Sequence, residues 1–182
     1  MDTRDERSIQ DAVQKVSEAM GDGGLNYLFN NAGILNKYDI NGPVDRRSCL
    51  PLLRSAVKFG STATVVSIST MWGSIQSCEG SNGGWHSLAY NMSKAALNMM
   101  TKTLAADLKK DGITVASVCP GWVRTDMGTM ESVAPNHGPA NAPVKPLEID
   151  DSTYAVVQNV LEKLATAHSG GFYDRFIVPI PV

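Results

Sequence analysis

Short β-branched and apolar runs alternate with longer helix-like stretches along this chain. Leu25-Asn26-Tyr27-Leu28-Phe29, Thr62 to Ser69 and Ile113 to Cys119 are the clearest of the short runs, each bounded by turn-forming residues. They read as buried strands at 25–30, 62–69 and 113–119, with a last strand near Phe176–Val178. Between them the pattern predicts helices over Ser8–Met20, Val44–Val57, Ser87–Lys110 and Ser152–Ala167. Strands alternating with helices argue for a parallel α/β sheet. Gly21-Asp22-Gly23-Gly24 follows the first helix and reads as its terminating turn, because glycine commonly closes helices. Two stretches break the alternation. Met127 to Asp150 carries Pro135, Pro139, Pro143 and Pro146, and Gly80 to His86 is rich in glycine; both read as loops. There is no internal repeat.

Composition narrows the class. A chain of 182 residues with 43% hydrophobic content is expected to form a single domain with an ample core. Sixteen Lys and Arg against 18 Asp and Glu give a net charge of −2, which offers no electrostatic case for nucleic acid or an anionic membrane. No apolar stretch is long enough to span a bilayer, and the polar start Met1-Asp2-Thr3-Arg4-Asp5-Glu6-Arg7 is no signal peptide. The expected location is the cytoplasm. Cys49, Cys78 and Cys119 are odd in number and far apart, which suits free thiols rather than disulfides or zinc. His86, His137 and His168 have no ligand spacing, so no metal is expected.

The candidate chemistry begins with Tyr90 and Lys94. Four residues make a little over one helical turn, so the two side chains share a face. A phenol is a poor base at neutral pH, and a cation beside it favours the phenolate. The pair therefore suits acid/base work on a hydroxyl or carbonyl, although the same spacing joins ordinary surface neighbours. Asn30-Asn31-Ala32-Gly33 ends the first strand at the sheet edge where α/β folds bind ligands; it also suits a plain strand-ending turn. The second strand ends in the hydroxyls of Ser69 and Thr70, either of which can bond a substrate oxygen or merely close the strand. The third breaks at Pro120-Gly121, with Thr125 supplying a hydroxyl nearby. Trp72, Trp85 and Trp122 suit an apolar pocket, with core packing an equal reading for Trp72. The stripe Ala95, Ala96, Met99, Met100 suits helix packing or a homodimer seam.

Taken in order, these segments resemble the short-chain dehydrogenase/reductase family. The likeness runs through Asn30-Asn31-Ala32-Gly33, Gly73-Ser74-Ile75, Tyr90-Asn91-Met92-Ser93-Lys94-Ala95-Ala96-Leu97-Asn98 and Pro120-Gly121-Trp122-Val123-Arg124-Thr125-Asp126-Met127-Gly128. It is strongest to the carbonyl-reductase-like branch that includes sniffer and the C-factor-like proteins, which Gly170-Gly171-Phe172-Tyr173 also resembles. The resemblance implies an NADP- or NAD-dependent oxidoreductase, with NADP favoured, that reduces a carbonyl or oxidises an alcohol in a small-molecule substrate. It implies Tyr90 as proton donor/acceptor and Lys94 as the residue that lowers its pKa and holds the nicotinamide ribose. It implies Thr70, three residues before Gly73, as the catalytic hydroxyl, with Ser69 as the fallback. Asn31, Ala32 and Gly33 match the turn against the cofactor, and Pro120, Gly121, Val123 and Thr125 the segment beside the nicotinamide.

The departures carry their own expectations. Family members open with a strand and a glycine-rich turn that receives the pyrophosphate, and Met1 to Gly24 contains neither. The expected architecture is therefore an incomplete Rossmann-like doubly wound parallel sheet with helices on both faces, lacking the amino-terminal βαβ unit. Loss of a strand predicts an exposed sheet edge and apolar helix faces. The segment after Gly33 is shorter than the family's helix, and Asn41 is a candidate for its proton-relay asparagine or for a loop Asn-Gly turn. Two functions follow: a carbonyl reductase or alcohol dehydrogenase, and a catalytically inactive truncated isoform or interaction module unable to hold the dinucleotide.

Overall fold

A computed structural model of the chain describes residues 5–31, 49–78, 88–128 and 146–182, and leaves the side chain of Asp22 out. Its centre is one sheet of four parallel strands. These are β1 (Tyr27–Asn30), β2 (Ala63–Ile68), β3 (Ile113–Cys119) and β4 (Phe172–Asp174), paired in chain order. The registers Phe29↔Val66, Val66↔Ala116 and Val118↔Tyr173 align the carboxyl ends of the strands along one rim.

The side chains of β2 and β3 divide between the two faces, as the period of a strand requires. On one face Ala63, Val65, Ile113 and Val115 pack with Leu53 and Ala56 of α2 (Leu50–Lys58) and Ala105 and Leu108 of α3 (Leu88–Leu108). On the other, Val66, Ala116 and Val118 pack with Val156 and Val160 of α4 (Ile149–Lys163). Helices on both faces are what β3, buried at every position, demands. Leu53 is 1% exposed at the centre of the first cluster. Leu53→Ala is expected to lower the unfolding free energy by about 2–5 kcal/mol, read as a shift in urea midpoint with unchanged slope.

The first helix, α1 (Glu6–Met20), opens on Asp5, whose carboxylate accepts the N–H of Arg7 at 3.0 Å. It closes on Gly21 at φ 56, as its composition led us to expect. Only Ile9 of its fifteen residues is buried; Ala12, Val13 and Met20 are half-buried, and Val16, at 39% exposure, and Ala19 are exposed. Among the described residues β1 is the sheet's edge, paired to β2 on one side alone.

Two expectations are corrected. The last strand is β4 at Phe172–Asp174, and Phe176–Val178 is a bend. The carboxylate of Asp174 accepts the N–H of both Phe176 (2.8 Å) and Val178 (2.9 Å), while Ile177 sits at φ 64. A side chain that gathers the next backbone donors competes with a ladder and turns the chain. The fourth helix starts at Ile149 rather than Ser152 and ends at Lys163 rather than Ala167. Ser152 lies inside it and donates its hydroxyl to the Pro120 carbonyl at 2.8 Å, which ties α4 to the segment after β3. The expected helix at Val44–Val57 survives as α2, and its start lies outside the described residues.

Candidate active site

The rim at the carboxyl ends of β1, β2 and β3 collects most of the residues singled out above. β2 ends at Ile68, and Ser69 continues the pairing by donating its N–H to the Val118 carbonyl at 2.8 Å. Thr70 stays extended and its hydroxyl oxygen accepts the N–H of Trp72 at 3.4 Å, opening a single tight turn over Met71–Gly73. A hydroxyl that accepts this N–H keeps its own proton for another acceptor. The two hydroxyls are thereby separated. Ser69 is buried at 3% exposure and bonded to Asn98, while Thr70 is half-buried. Of the two, Thr70 is the more exposed.

The turn lies directly on α3. A Cβ on Gly73 would fall 2.8 Å from the Lys94 carbonyl carbon, 2.9 Å from Lys94 Cβ and 3.1 Å from the Ala95 nitrogen, so no larger residue fits without movement. α3 carries Tyr90 and Lys94 on the face that meets this turn. The Trp72 indole stands edge-on to the Tyr90 ring, with centroids 6.1 Å apart. The Lys94 ammonium lies 5.7 Å from the Tyr90 ring centroid and donates to the Ile68 carbonyl at 2.8 Å. One of its three donors is thus used at the sheet and two remain.

The electrostatics of the pair differ from the expectation. Burial outweighs any lowering of the Tyr90 pKa by Lys94 in this arrangement. Burial pushes the phenol above its ordinary value, and Cys119 adds to the rise. Burial likewise pulls the Lys94 ammonium below its usual value, with Cys119 opposing. The cause is geometric: the ammonium is anchored on Ile68 while desolvation acts on both groups. At neutral pH Tyr90 is therefore held as a protonated phenol.

Cys119, at the end of β3, is buried at 5% exposure, and burial raises its thiol against bonds from the Gly121 and Met71 amides. Sequence reasoning treated it only as a free thiol, and its place at the end of the third strand was the signal that it borders the site. Asn98 was likewise passed over as part of a motif; it is 4% exposed and one further turn along the face of Tyr90 and Lys94.

The remaining residues follow β1 and β3 in the chain. Asn31 is exposed after β1, and Asn30 beside it has a buried side-chain nitrogen with no hydrogen-bond partner among the described residues. Pro120 and Gly121 follow β3, and Val123 bridges to Leu147. Thr125 is exposed, and its hydroxyl accepts the Gly128 N–H at 3.2 Å, capping its own turn. Trp122 is pinned by its indole N–H on the Gly128 carbonyl at 2.9 Å. Ala32, Gly33, Asn41, Trp85, His86 and His137 lie outside the described residues. Among the described residues no cluster of His, Cys, Asp or Glu is arranged to hold a metal, and no helix is long and apolar enough to cross a membrane.

Comparison with known proteins agrees with this arrangement. Residues 1–136 match the short chain dehydrogenase family. C-signal of Myxococcus xanthus is 31% identical over 177 residues, covering 87% of this chain and 93% of that protein. The carbonyl reductase Sniffer of D. melanogaster superposes with a TM-score of 0.79 at 32% identity, over all of this chain and 76% of its own. A carbonyl reductase from chicken fatty liver, solved with NADPH bound, gives a TM-score of 0.79 at 28% identity over 100% of this chain and 75% of its own. The family match, the parallel sheet and the likeness to carbonyl reductases agree: this chain belongs to the short-chain dehydrogenase/reductase family of oxidoreductases, in its carbonyl-reductase-like branch.

Proposed function

We propose that this chain carries the catalytic residues of a nicotinamide-dependent carbonyl reductase, with Tyr90 as the acid, Thr70 as the second donor to the carbonyl oxygen and Lys94 as the holder of the nicotinamide ribose. The observation that carries the reading is the docking of the Thr70-bearing turn on the part of α3 that presents Tyr90 and Lys94.

The residues suit the nicotinamide end of a dinucleotide. Among the described residues Asn30 offers a buried amide donor without a partner and Lys94 has two N–H donors left, and Pro120-Gly121 follows β3 at the same end of the sheet. Asn31, Val123 and Thr125, with Ala32 and Gly33, would complete that side. The bound dinucleotide supplies the hydride. The chain's own part is positioning and proton transfer. The Thr70 hydroxyl, already accepting from Trp72, donates to the carbonyl oxygen. The Tyr90 phenol, protonated through neutrality, donates its proton to the same oxygen as negative charge builds there. NADP is the preferred form because the similar chicken enzyme was solved with NADPH. The substrate is a small carbonyl compound or alcohol.

One observation favours a second reading. The partly exposed apolar face of α1 and the one-sided pairing of β1 among the described residues suit a chain that associates with a partner instead of holding a dinucleotide alone. A titration with NADPH and NADH, following nicotinamide fluorescence, separates the two. Saturable enhancement below millimolar cofactor is the expected result. An unchanged spectrum at millimolar concentrations of both would leave the interaction module as the surviving reading.

A further inference from the structure

We propose that Asn98 is a positioning residue of the site: it fastens both ends of the Ser69–Gly73 turn to α3 and thereby sets Thr70 against Tyr90. The inference rests on the catalytic reading of Thr70 and Tyr90 given above.

Three observations meet at this side chain. Asn98 is 4% exposed on a helix whose other buried positions are Thr101, Ala105 and Leu108, so an amide here displaces an apolar residue from the packing face. Its Oδ1 accepts the Ser69 hydroxyl at 2.8 Å, and its Nδ2 donates to the Gly73 carbonyl at 3.2 Å. A carbonyl only accepts, so the Gly73 bond fixes which way the amide lies and leaves Oδ1 for Ser69. One amide thus holds the residue before Thr70 and the residue that closes the turn. Between these bonds the turn carries its own links, Gly73 N–H to the Thr70 carbonyl at 2.9 Å and Ser74 N–H to the Met71 carbonyl at 3.0 Å, and the Trp72 ring rests edge-on against Tyr90.

Asn98 continues the line of Tyr90 and Lys94 at four-residue steps. The same face therefore carries the acid, the ribose-holding cation and the clamp on the second donor. Lys94 has its own anchor on Ile68, independent of Asn98. Loss of the clamp is expected to disturb the placement of Thr70 and spare the cation.

The test has two arms. In Asn98→Leu, amide hydrogen exchange at Gly73 and Ser74 is expected to rise at least ~10-fold while the ladder amides of β3 keep their protection. In the same variant kcat for carbonyl reduction falls by about 10–100-fold with the KM for NADPH unchanged, the scale expected of a displaced catalytic group. Adding Asn98→Leu to Thr70→Ala costs less than about threefold more, because both changes act through one hydroxyl. Unchanged exchange at Gly73 and Ser74, or full multiplication of the two kinetic losses, overturns the proposal. Ser69→Ala removes one end of the clamp with little risk to folding, and decides the exchange arm if Asn98→Leu does not fold. Turnover retained by Tyr90→Phe sinks the acid assignment instead; the exchange arm then supports or overturns the Asn98 clamp by itself.

Discussion

Tyr90→Phe is expected to reduce turnover of a carbonyl substrate by ~10²–10⁴-fold while leaving NADPH affinity within about twofold, the range typical of losing a positioned general acid. The substitution removes one oxygen and keeps the ring, so the edge contact with Trp72 and the place of the Lys94 ammonium over the ring survive. The pH profile gives an independent check. Tyr90 titrates above its ordinary value because it is buried and faces Cys119, so the proton needed for reduction is present throughout neutrality. The rate of reduction should be level across neutral pH with respect to this group and fall only on the alkaline side of a normal tyrosine. Oxidation of the alcohol runs in the opposite sense, since it needs the phenolate, and should rise into the same alkaline range. An alkaline limb below neutral pH, or turnover undiminished in Tyr90→Phe, would sink the assignment of the phenol as acid. Linkage to stability has the matching sign. A phenol whose folded-state pKa is raised contributes stability that is fully present below its unfolded value and fades as pH climbs toward the folded one. The Lys94 ammonium, lowered by burial, works oppositely: it costs stability while charged in the fold, and that cost fades as pH rises through its folded value toward the unfolded one.

What the sequence disclosed follows from which signals are local. β3 was readable to its ends because a β-branched and small-residue run stops at Pro120-Gly121, whereas α3 was readable in its body but ends at Leu108, where a tight turn over Lys109–Asp111 replaces the expected helix to Lys110. The choice of Thr70 over Ser69 came from resemblance, and their different burial and bonding now give it a physical reason. β4 was misplaced because Phe176-Ile177-Val178 has the better strand composition. Its backbone donors are instead taken by Asp174, while Phe172 and Tyr173 pair with β3. Composition does not report that competition. The anchor of Lys94 was hidden for a similar reason. Spacing puts Lys94 and Tyr90 on one face, but the partner that anchors the ammonium, the Ile68 carbonyl, is 26 residues away in sequence. Asn98 was hidden by the same distance, since its meaning lies in Ser69 and Gly73 on another element.

Gly73→Ala is expected to cost about 1–3 kcal/mol of stability and, more tellingly, ~10²-fold in turnover. The added methyl would lie 2.8–3.1 Å from Lys94 and Ala95 atoms that belong to the helix itself, the Lys94 carbonyl carbon and Cβ and the Ala95 nitrogen. None of these is the free end of a flexible side chain, so the strain can relax only if the turn and α3 separate. Separation moves Thr70 relative to Tyr90 and pulls the Gly73 carbonyl from Asn98, whereas neither group is altered chemically. The loss should therefore appear in kcat more than in NADPH affinity, because Lys94 keeps its own tether on Ile68. Gly23→Ala provides the matched control, since a Cβ there meets nothing within 4 Å; it should leave turnover intact and stability within about 0.5 kcal/mol. Equal kinetics for the two alanine variants would mean that the close seating of the turn on α3 is irrelevant to catalysis. The geometric basis for assigning Thr70 and Tyr90 to one reaction would then be gone.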